Sequence, residues 1–198
     1  DYRKALEADP AWVPALIGIS RALGDENPEA AAAALEEARK LAPRHPGIWL
    51  LAAERHIEAE DLAAASEALD RLAEAKPGTV EESALRAAIA YGRKDTAAMD
   101  AALGRVRQVN PRSALGLRRV GEEAARDYRF DDAAEFARKA VALDPDDGFA
   151  HFDLGLYLMR TGDETGARAA LDRSWTLDNS APITKNLLEV LDRLETFD

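Results

Sequence analysis

The chain contains no cysteine in its 198 residues. Disulfide bonds, thiolate zinc sites and cysteine nucleophiles are therefore excluded. Aromatic residues are scarce, at 6%, and no apolar run approaches the roughly 20 residues that a membrane-spanning helix requires. We expect a soluble protein without membrane insertion, and this composition suits the cytoplasm and the periplasm equally.

Basic residues are also in deficit, because 26 Lys and Arg stand against 37 Asp and Glu and leave a net charge of -11. Binding to a nucleic-acid backbone needs a basic surface, so the charge argues against a nucleic acid as the main partner. Alanine, leucine, glutamate and arginine are abundant instead, and these residues enter α-helices at little free-energy cost. The composition thus favours an all-α protein.

Prolines punctuate the chain at nearly constant intervals. The punctuating residues are Pro10, Pro43, Pro77, Pro111 and Pro145, with Asn179 where a sixth would fall. The first spacing is 33 residues and the others are 34. A fixed period of about 20 to 50 residues is the signature of a repeat array. Because proline cannot continue a preceding helix, each one is predicted to close a repeat.

Each interval holds two helical patterns separated by a short polar break. In four intervals a residue that can cap a helix stands just before the second pattern: Asn27, Asp61, Asp95 and Asp163. Their side-chain oxygens can accept hydrogen bonds from the free N–H groups of the next helix. Arg129 interrupts this row, and there Asp131 is the predicted cap.

Two parts of a known repeat signature recur within these intervals. The first part is Trp-x-x-Leu-Gly-x-x-Tyr. Two sets of residues occupy its positions: Trp49, Ala52, Ala53 and His56, and His151, Leu154, Gly155 and Leu158. The second part is Ala-x-x-x-Phe, and its positions are occupied by Ala31 and Leu35, Ala65 and Leu69, Ala133 and Ala137, and Ala167 and Leu171. The intervals therefore resemble tetratricopeptide repeats, and the chain looks like a bacterial member of that family.

The resemblance implies an all-α fold, a right-handed α-solenoid (superhelix) of helix-turn-helix repeats. We expect one array over residues 1–198, with repeats at 12–45, 46–79, 80–113, 114–147 and 148–181. Residues 1–11 would then be the second helix of a truncated repeat, and 182–198 a capping helix. Because the chain opens without methionine inside a helical pattern, we expect an excised piece of a longer protein.

The third repeat departs from the family pattern. Arg86 falls where a buried leucine is expected, and Met99 falls where a small alanine is expected. Either its first helix has slipped by one residue, which would place Leu85 inward, or the repeat packs loosely. The register of 80–113 is open on the sequence alone.

No arrangement of residues indicates catalysis. His45, His56 and His151 have no companions at metal-ligand spacing, and the latter two fall in rows normally filled by buried aromatic residues. The serines form no Gly-x-Ser-x-Gly elbow, and the glycines form no phosphate-binding loop. We predict no enzyme, no catalytic residue, no metal and no cofactor.

The tetratricopeptide resemblance implies that the first helices of successive repeats form a concave face that binds a protein or peptide partner. Several of these helices are apolar around most of their circumference, which indicates a second contact besides their packing. The predicted peptide-binding residues on this face are Leu16, Leu23, Leu50, Glu54, Ile57, Tyr91, Arg118, Phe149, Phe152, Leu156 and Met159.

Arg118 has two interpretations. With Arg119, Arg126 and Arg160 it could form a basic spot that holds a carboxylate. Alternatively, Arg118 with Glu122 and Arg119 with Glu123 are ordinary intrahelical ion pairs. Some members of the family grip chaperone tails with lysines and asparagines, and those residue types are missing from the predicted face.

We therefore expect a non-enzymatic scaffold that binds a peptide segment or helix in an apolar concave groove. The alternative is a substrate-recruiting or regulatory region of a larger protein, because "NLLEVLDRLETFD" resembles the segment that precedes a metallopeptidase-like domain in some bacterial proteins. Self-association through the apolar ends or groove is a third possibility.

Overall fold

The computed structural model describes residues 2–9, 11–24 and 26–195, and within them the chain forms twelve α-helices and no strand. The helices are α1 (Tyr2–Ala8), α2 (Val13–Leu23), α3 (Pro28–Leu41), α4 (Pro46–Glu58), α5 (Leu62–Ala75), α6 (Val80–Gly92), α7 (Thr96–Val109), α8 (Leu115–Arg126), α9 (Phe130–Leu143), α10 (Gly148–Thr161), α11 (Glu164–Leu177) and α12 (Pro182–Glu195). Each predicted repeat contains two of them, and the predicted all-α class is confirmed.

The chain divides into two compact units, Asp1–Glu82 and Ser83–Asp198. In the first unit, α2 packs against α1, α3 and α4, and α4 packs against α5. In the second unit, α8 packs against α7 and α9, α10 against α8, α9 and α11, and α12 against α11. The expectation of one continuous array over 1–198 stays a prediction.

The turns between repeats follow the prolines. α3, α5, α7 and α9 each end two residues before a proline, because the residue that precedes proline is restricted to an extended backbone. α11 also ends two residues before the repeat boundary, at Leu177, although Asn179 stands there in place of proline. Asp178 is extended, with φ -144° and ψ 99°, and its side chain accepts hydrogen bonds from the backbone N–H (2.9 Å) and the hydroxyl (2.6 Å) of Ser180. This turn reproduces the path that proline sets elsewhere.

The loops within repeats share one conformation. Four residues spaced 34 apart have a left-handed backbone: Glu60, Lys94, Tyr128 and Gly162, with φ of 59°, 60°, 60° and 82°. In each case the next N–H reaches back to a helix carbonyl five residues earlier, as from Asp61 to His56 at 2.9 Å. This is the Schellman ending of a helix.

The predicted helix caps mostly form. The side chains of Asn27, Asp61, Asp95 and Asp163 each accept a hydrogen bond from an N–H in the next first turn, at 2.9 to 3.1 Å. The prediction for Asp131 is wrong, because α9 has no side-chain cap and Asp131 lies inside its first turn. There it still favours the helix through the macrodipole.

Small residues allow the paired helices to approach closely. Ala31, Ala65, Ala133 and Ala167 of the second helices are fully buried. A Cβ atom added at Gly155 of α10 would lie only 2.5 Å from Leu171 Cγ of α11. The helices in this pair are therefore held at a distance that only glycine permits.

The third repeat has a buried Leu85, which is 3% exposed, whereas Arg86 is half-buried. This agrees with the slipped register and not with loose packing. Met99 is also buried, and it packs in a cluster with Ala87 and Ala90 of α6 and with Leu103. Small neighbours on α6 thus make room for a methionine where the other repeats have alanine.

Candidate partner-binding surface

In the first unit, three of the predicted binding residues reach the surface. Leu23, Leu50 and Glu54 are half-buried on α2 and α4. Leu16 and Ile57 are buried, and Leu16 packs in a cluster with Ala38 and Ile48. The surface that this unit offers to a partner is therefore narrower than the predicted row.

Polar contacts join the two helices that carry this surface. Glu54 of α4 accepts a hydrogen bond at 3.1 Å from Arg21 of α2. Arg55 of α4 donates at 2.6 Å to the backbone carbonyl of Ser20. Because Glu54 is paired with Arg21 in the free protein, a partner would have to share or displace that contact.

The second unit presents the larger apolar surface. Phe149, in the first turn of α10, is 65% exposed, and Phe152, Leu156 and Met159 follow it half-buried on the same helix. Asp147 caps α10 by accepting from the N–H groups of Phe149 and Ala150 at 2.9 and 3.1 Å. The cap fixes where the helix begins and so where Phe149 points.

An apolar cleft opens beside these phenylalanines. It has a volume of about 190 Å³ and lies between the first turns of α10 and α12 and the last turn of α11. Its apolar lining comes from Phe149, Phe152, Leu177, Ala181 and Ile183, and Asp146 and Asp178 also line it. The cleft is smaller than a typical pocket for a small-molecule ligand, and it suits one large apolar side chain.

The sequence prediction missed the contribution of α12. Leu187 and Leu191 pack against the α10–α11 cluster, as a capping helix requires. However, Ile183, Val190 and Leu194 are 58%, 45% and 43% exposed. They stand 34 residues after Phe149, Leu156 and Arg160, so the repeat period itself could have identified them as a continuation of the same face.

Arg118 is committed to partners within the protein. Its Nε lies 2.7 Å from Oδ2 of Asp153, its Nη2 lies 3.9 Å from Glu122, and its guanidinium lies 5.1 Å from the ring centre of Phe149. Asp153 is only 7% exposed. Burial raises the pKa of Asp153 to about 6, and Arg118 opposes that rise without cancelling it.

The other arginines of the predicted basic spot also have local contacts. Arg119 donates to Glu122 at 2.9 Å, and Arg126 forms an ion pair with Glu123. Arg160 is exposed and lies 5.8 Å from the ring centre of Phe130. Arg118, Arg119 and Arg126 are therefore paired locally. The main partner of Arg118 is Asp153 rather than Glu122, and Arg119 bonds to Glu122, whereas its predicted partner is Glu123.

Tyr91 belongs to an aromatic cluster at the end of α6. Its hydroxyl donates to Asp132 at 3.1 Å, its ring meets Phe136 edge to face at 5.6 Å, and Arg129 lies over it at 5.1 Å. Burial is the main cause that raises the pKa of Tyr91 to about 12, and the bond to Asp132 adds to it. These contacts hold the ring in place before any partner arrives.

The first unit has a larger and more polar cleft, of about 860 Å³. Trp49 lines it and donates its indole N–H to the carbonyl of Pro43 at 2.8 Å. Most of the charged side chains around it pair along their own helices, as Arg39 does with Glu36 at 2.8 Å. Basic residues here also complement the C-terminal end of α3.

The histidines have structural roles. His45 caps α4 by accepting from the N–H of Gly47 at 3.2 Å, and a ring nitrogen of His151 lies 3.0 Å from the carbonyl of Pro145. His151 thus repeats the contact that Trp49 makes with Pro43. His56 is half-buried.

In the described residues no group of three His, Asp or Glu is arranged to hold a metal ion. Over the same residues, no helix combines the length and apolar character needed to cross a membrane.

Solved structures of similar fold include tetratricopeptide repeat proteins. TTC0263 of Thermus thermophilus is 17% identical, with a TM-score of 0.63 over 90% of this chain and 98% of that one. YrrB, described as a tetratricopeptide repeat protein with an unusual peptide-binding site, is 15% identical, with a TM-score of 0.53 over 96% and 98%. PilF of Pseudomonas aeruginosa is 15% identical, with a TM-score of 0.54 over 95% and 86%.

No curated protein sequence matches the chain. Two family models do match it, both of the tetratricopeptide repeat, over residues 22–90 and 121–182. Together with the paired helices, the recurrent small residues and the structural neighbours, these matches show that the chain belongs to the tetratricopeptide repeat family, whose members act as protein-interaction scaffolds.

Proposed function

We propose that the chain is a non-enzymatic scaffold that binds a peptide segment or a helix on the apolar surface of its second unit. The observation that carries this proposal is the exposure of Phe149 and Ile183 on either side of an apolar cleft. Clustered apolar side chains at a surface mark interaction sites, and aromatic residues are frequent anchors there. Phe152, Leu156 and Met159 extend the surface along α10.

The carboxylates near this surface already have partners within the protein. The buried carboxylate Asp153 is paired with Arg118 and does not line the cleft. Asp146 and Asp178 do line the cleft. Asp146 forms an ion pair with Arg173, and Asp178 accepts a hydrogen bond from Ser180. The side chains at the cleft are therefore arranged for apolar contact at its centre and for charge contact at its edge.

A displayed peptide library provides the test. Peptides selected on the whole chain should bind Phe149→Ala at least about tenfold more weakly, because an aromatic anchor is lost. Phe149 is mostly exposed, so helicity should not change. Val109→Ala is the matched control, since Val109 is 53% exposed on a helix outside the surface. Equal binding by all three proteins would contradict the proposal.

We propose a separate contact surface on the first unit, made of Leu23, Leu50 and Glu54. For library peptides whose binding Phe149→Ala leaves unchanged, Leu50→Ala should weaken binding by less than about tenfold, because Leu50 is half-buried and only part of its side chain can meet a ligand. Isothermal titration of one such peptide measures the loss.

A second candidate function is substrate recruitment within a larger protein, with a metallopeptidase-like domain after this region. It rests on the segment "NLLEVLDRLETFD", of which residues 186–195 lie in α12 and the last three fall outside the described residues. The reading frame of the parent gene tests it. A stop codon at or near Asp198 would remove this candidate.

A further inference from the structure

We propose that the partner of the second unit is an amphipathic helix with an acidic N-terminal end and a basic C-terminal end, bound antiparallel to α10. This inference rests on the proposed function, because it concerns the same surface. It adds the chemistry and the direction of the partner.

The shape of the surface favours a helix as the occupant. On α10, Phe149, Leu156 and Arg160 recur at helical spacing along one face, and on α12 so do Ile183, Val190 and Leu194. The two rows span about 16 Å each, given a rise of about 1.5 Å per residue. The first turns of both helices line the same cleft, so the rows begin at the same end.

The surface beside these rows is also apolar. Phe152 and Met159 of α10 and Leu187 and Leu188 of α12 are partly buried and pack against the same cluster as Leu156. A helix that places apolar residues at i, i+3, i+4 and i+7 can lay them on such a surface, and about three turns would cover it.

The end of the surface at the cleft is acidic. Asp146, Asp147 and Asp178 stand beside Phe149, and the carboxyl of Asp178 keeps a lowered pKa through its bonds from Ser180. The nearby cations are already paired: Arg173 with Asp146 at 2.9 Å, and Arg118 with Asp153 at 2.7 Å. Carboxylates therefore outnumber cations at this end.

The opposite end carries an exposed cation in line with the α10 row. Arg160 lies in the last turn of α10 and forms no ion pair with any carboxylate in the described part of the chain. Asp163 and Glu164 stand at the start of α11 there, and Asp192 of α12 is paired with Arg168 at 2.7 Å. A partner helix with an acidic residue opposite Arg160 and basic residues at the cleft would meet opposite charges at both points, and its dipole would oppose that of α10.

Two peptides of identical composition test the direction. Both are about 15 residues long and carry leucines at i, i+3, i+4 and i+7. One has glutamates in the first turn and lysines in the last, and the other has these charges exchanged. A hydrocarbon staple on the polar face equalises their helicity, which circular dichroism checks, because the first arrangement is intrinsically more helical.

The expected result is about three- to tenfold tighter binding of the peptide with N-terminal glutamates at low salt, with the preference shrinking as salt rises. The preference should reverse in the triple variant Asp146→Lys, Asp178→Asn and Arg160→Glu. Asparagine retains the side-chain oxygen that accepts from Ser180, so the turn before α12 is preserved. A nitroxide on the N-terminus of the preferred peptide should broaden the amide resonance of Gly162 more than that of Gly148.

The outcomes separate this inference from the proposed function. Equal affinity for both peptides, an unreversed preference in the triple variant, or stronger broadening at Gly148 overturns the partner direction, while a loss of binding in Phe149→Ala still supports the surface. If neither peptide binds while the library peptides still lose binding in Phe149→Ala, the inference fails and the surface stands. If Phe149→Ala binds both peptides unchanged, the surface assignment fails and the inference fails with it.

Discussion

Three of the four left-handed loop residues carry side chains that disfavour that backbone conformation. Glu60, Lys94 and Tyr128 have φ near 60°, whereas the equivalent position in the last repeat is Gly162. A non-glycine residue in this conformation costs about 1–2 kcal/mol. The three loops keep it because the following N–H must reach back to the helix carbonyl and the next helix must begin at once.

Lys94→Gly should therefore increase the free energy of unfolding, by about 0.5–1 kcal/mol after the added flexibility of the unfolded chain is subtracted. Lys94 is exposed, so no packing is lost. Gly162→Ala is the converse and should lower stability by about 1 kcal/mol. Urea denaturation of the three proteins measures both, and a destabilised Lys94→Gly would contradict the strain.

Asp153 should give the protein a defined pH dependence. Its pKa is about 6 in the folded protein against an ordinary value of 3.8, so the folded state binds the extra proton between these values. Its contribution to stability is then fully present below pH 3.8 and is lost as the pH rises through 6. The whole difference amounts to at most about 3 kcal/mol.

The comparison with Asp153→Asn isolates this effect. Wild type should lose stability relative to the variant as the pH rises from 4 to 7, measured by urea denaturation at each pH. Loss of the bond to Arg118 shifts the variant by an amount that changes little with pH, so the slope carries the information. Parallel stability curves would show that Asp153 titrates normally.

At the scale of the helices, the close approach of α10 and α11 makes a sharp prediction. Gly155→Ala should lower the free energy of unfolding by about 1–3 kcal/mol, because its Cβ would lie 2.5 Å from Leu171 Cγ. Gly104→Ala is the matched control in the interior of α7, where a Cβ meets no atom within 4 Å. It should raise stability by about 1 kcal/mol. Thermal unfolding that ranks the two variants in the reverse order would contradict the packing.

Helix boundaries were the most predictable elements. Proline and the Asn or Asp caps act locally, so their effect follows from a few neighbouring residues, as at Asn27 and Pro43. Arg129 shows the limit of that rule. α9 begins there without a side-chain cap, because the Schellman ending of α8 at Tyr128 already determines where the next helix starts.

The candidate surface was less predictable than the helices. Sequence spacing placed Phe149 and Phe152 on the predicted peptide-binding face of α10, and both line the cleft. It could not tell that Leu16 and Ile57 are covered, since burial depends on how neighbouring helices pack. Nor did it assign Asp153 to Arg118, because that contact joins two helices whose separation depends on side-chain volumes.

At the scale of the whole molecule, the net charge of -11 should make stability depend on salt. Raising the salt concentration from about 0.02 M to about 0.3 M screens the repulsion between carboxylates and should raise the thermal midpoint. The double variant Glu58→Lys and Asp100→Lys, which makes the net charge less negative by four units, should respond less. An equal or larger rise in the variant would show that specific ion pairs dominate instead.

Self-association is a separate property of the whole molecule. Phe149, Ile183 and Val190 are exposed, so the same surface that is proposed to bind a helix could also meet a second copy. Light scattering across micromolar concentrations tests this. A constant monomer mass would exclude self-association, and a concentration-dependent mass that Phe149→Ala abolishes would locate it on this surface.

The turn at Asp178 has an evolutionary consequence. Because two hydrogen bonds to Ser180 keep the backbone on the path that proline imposes elsewhere, a repeat boundary can lose its proline without changing the route of the chain. Mutation can therefore remove the proline, the most recognisable residue of the motif, and leave the arrangement of the helices unchanged. Counting prolines gives only a minimum number of repeats for an array that has drifted in this way.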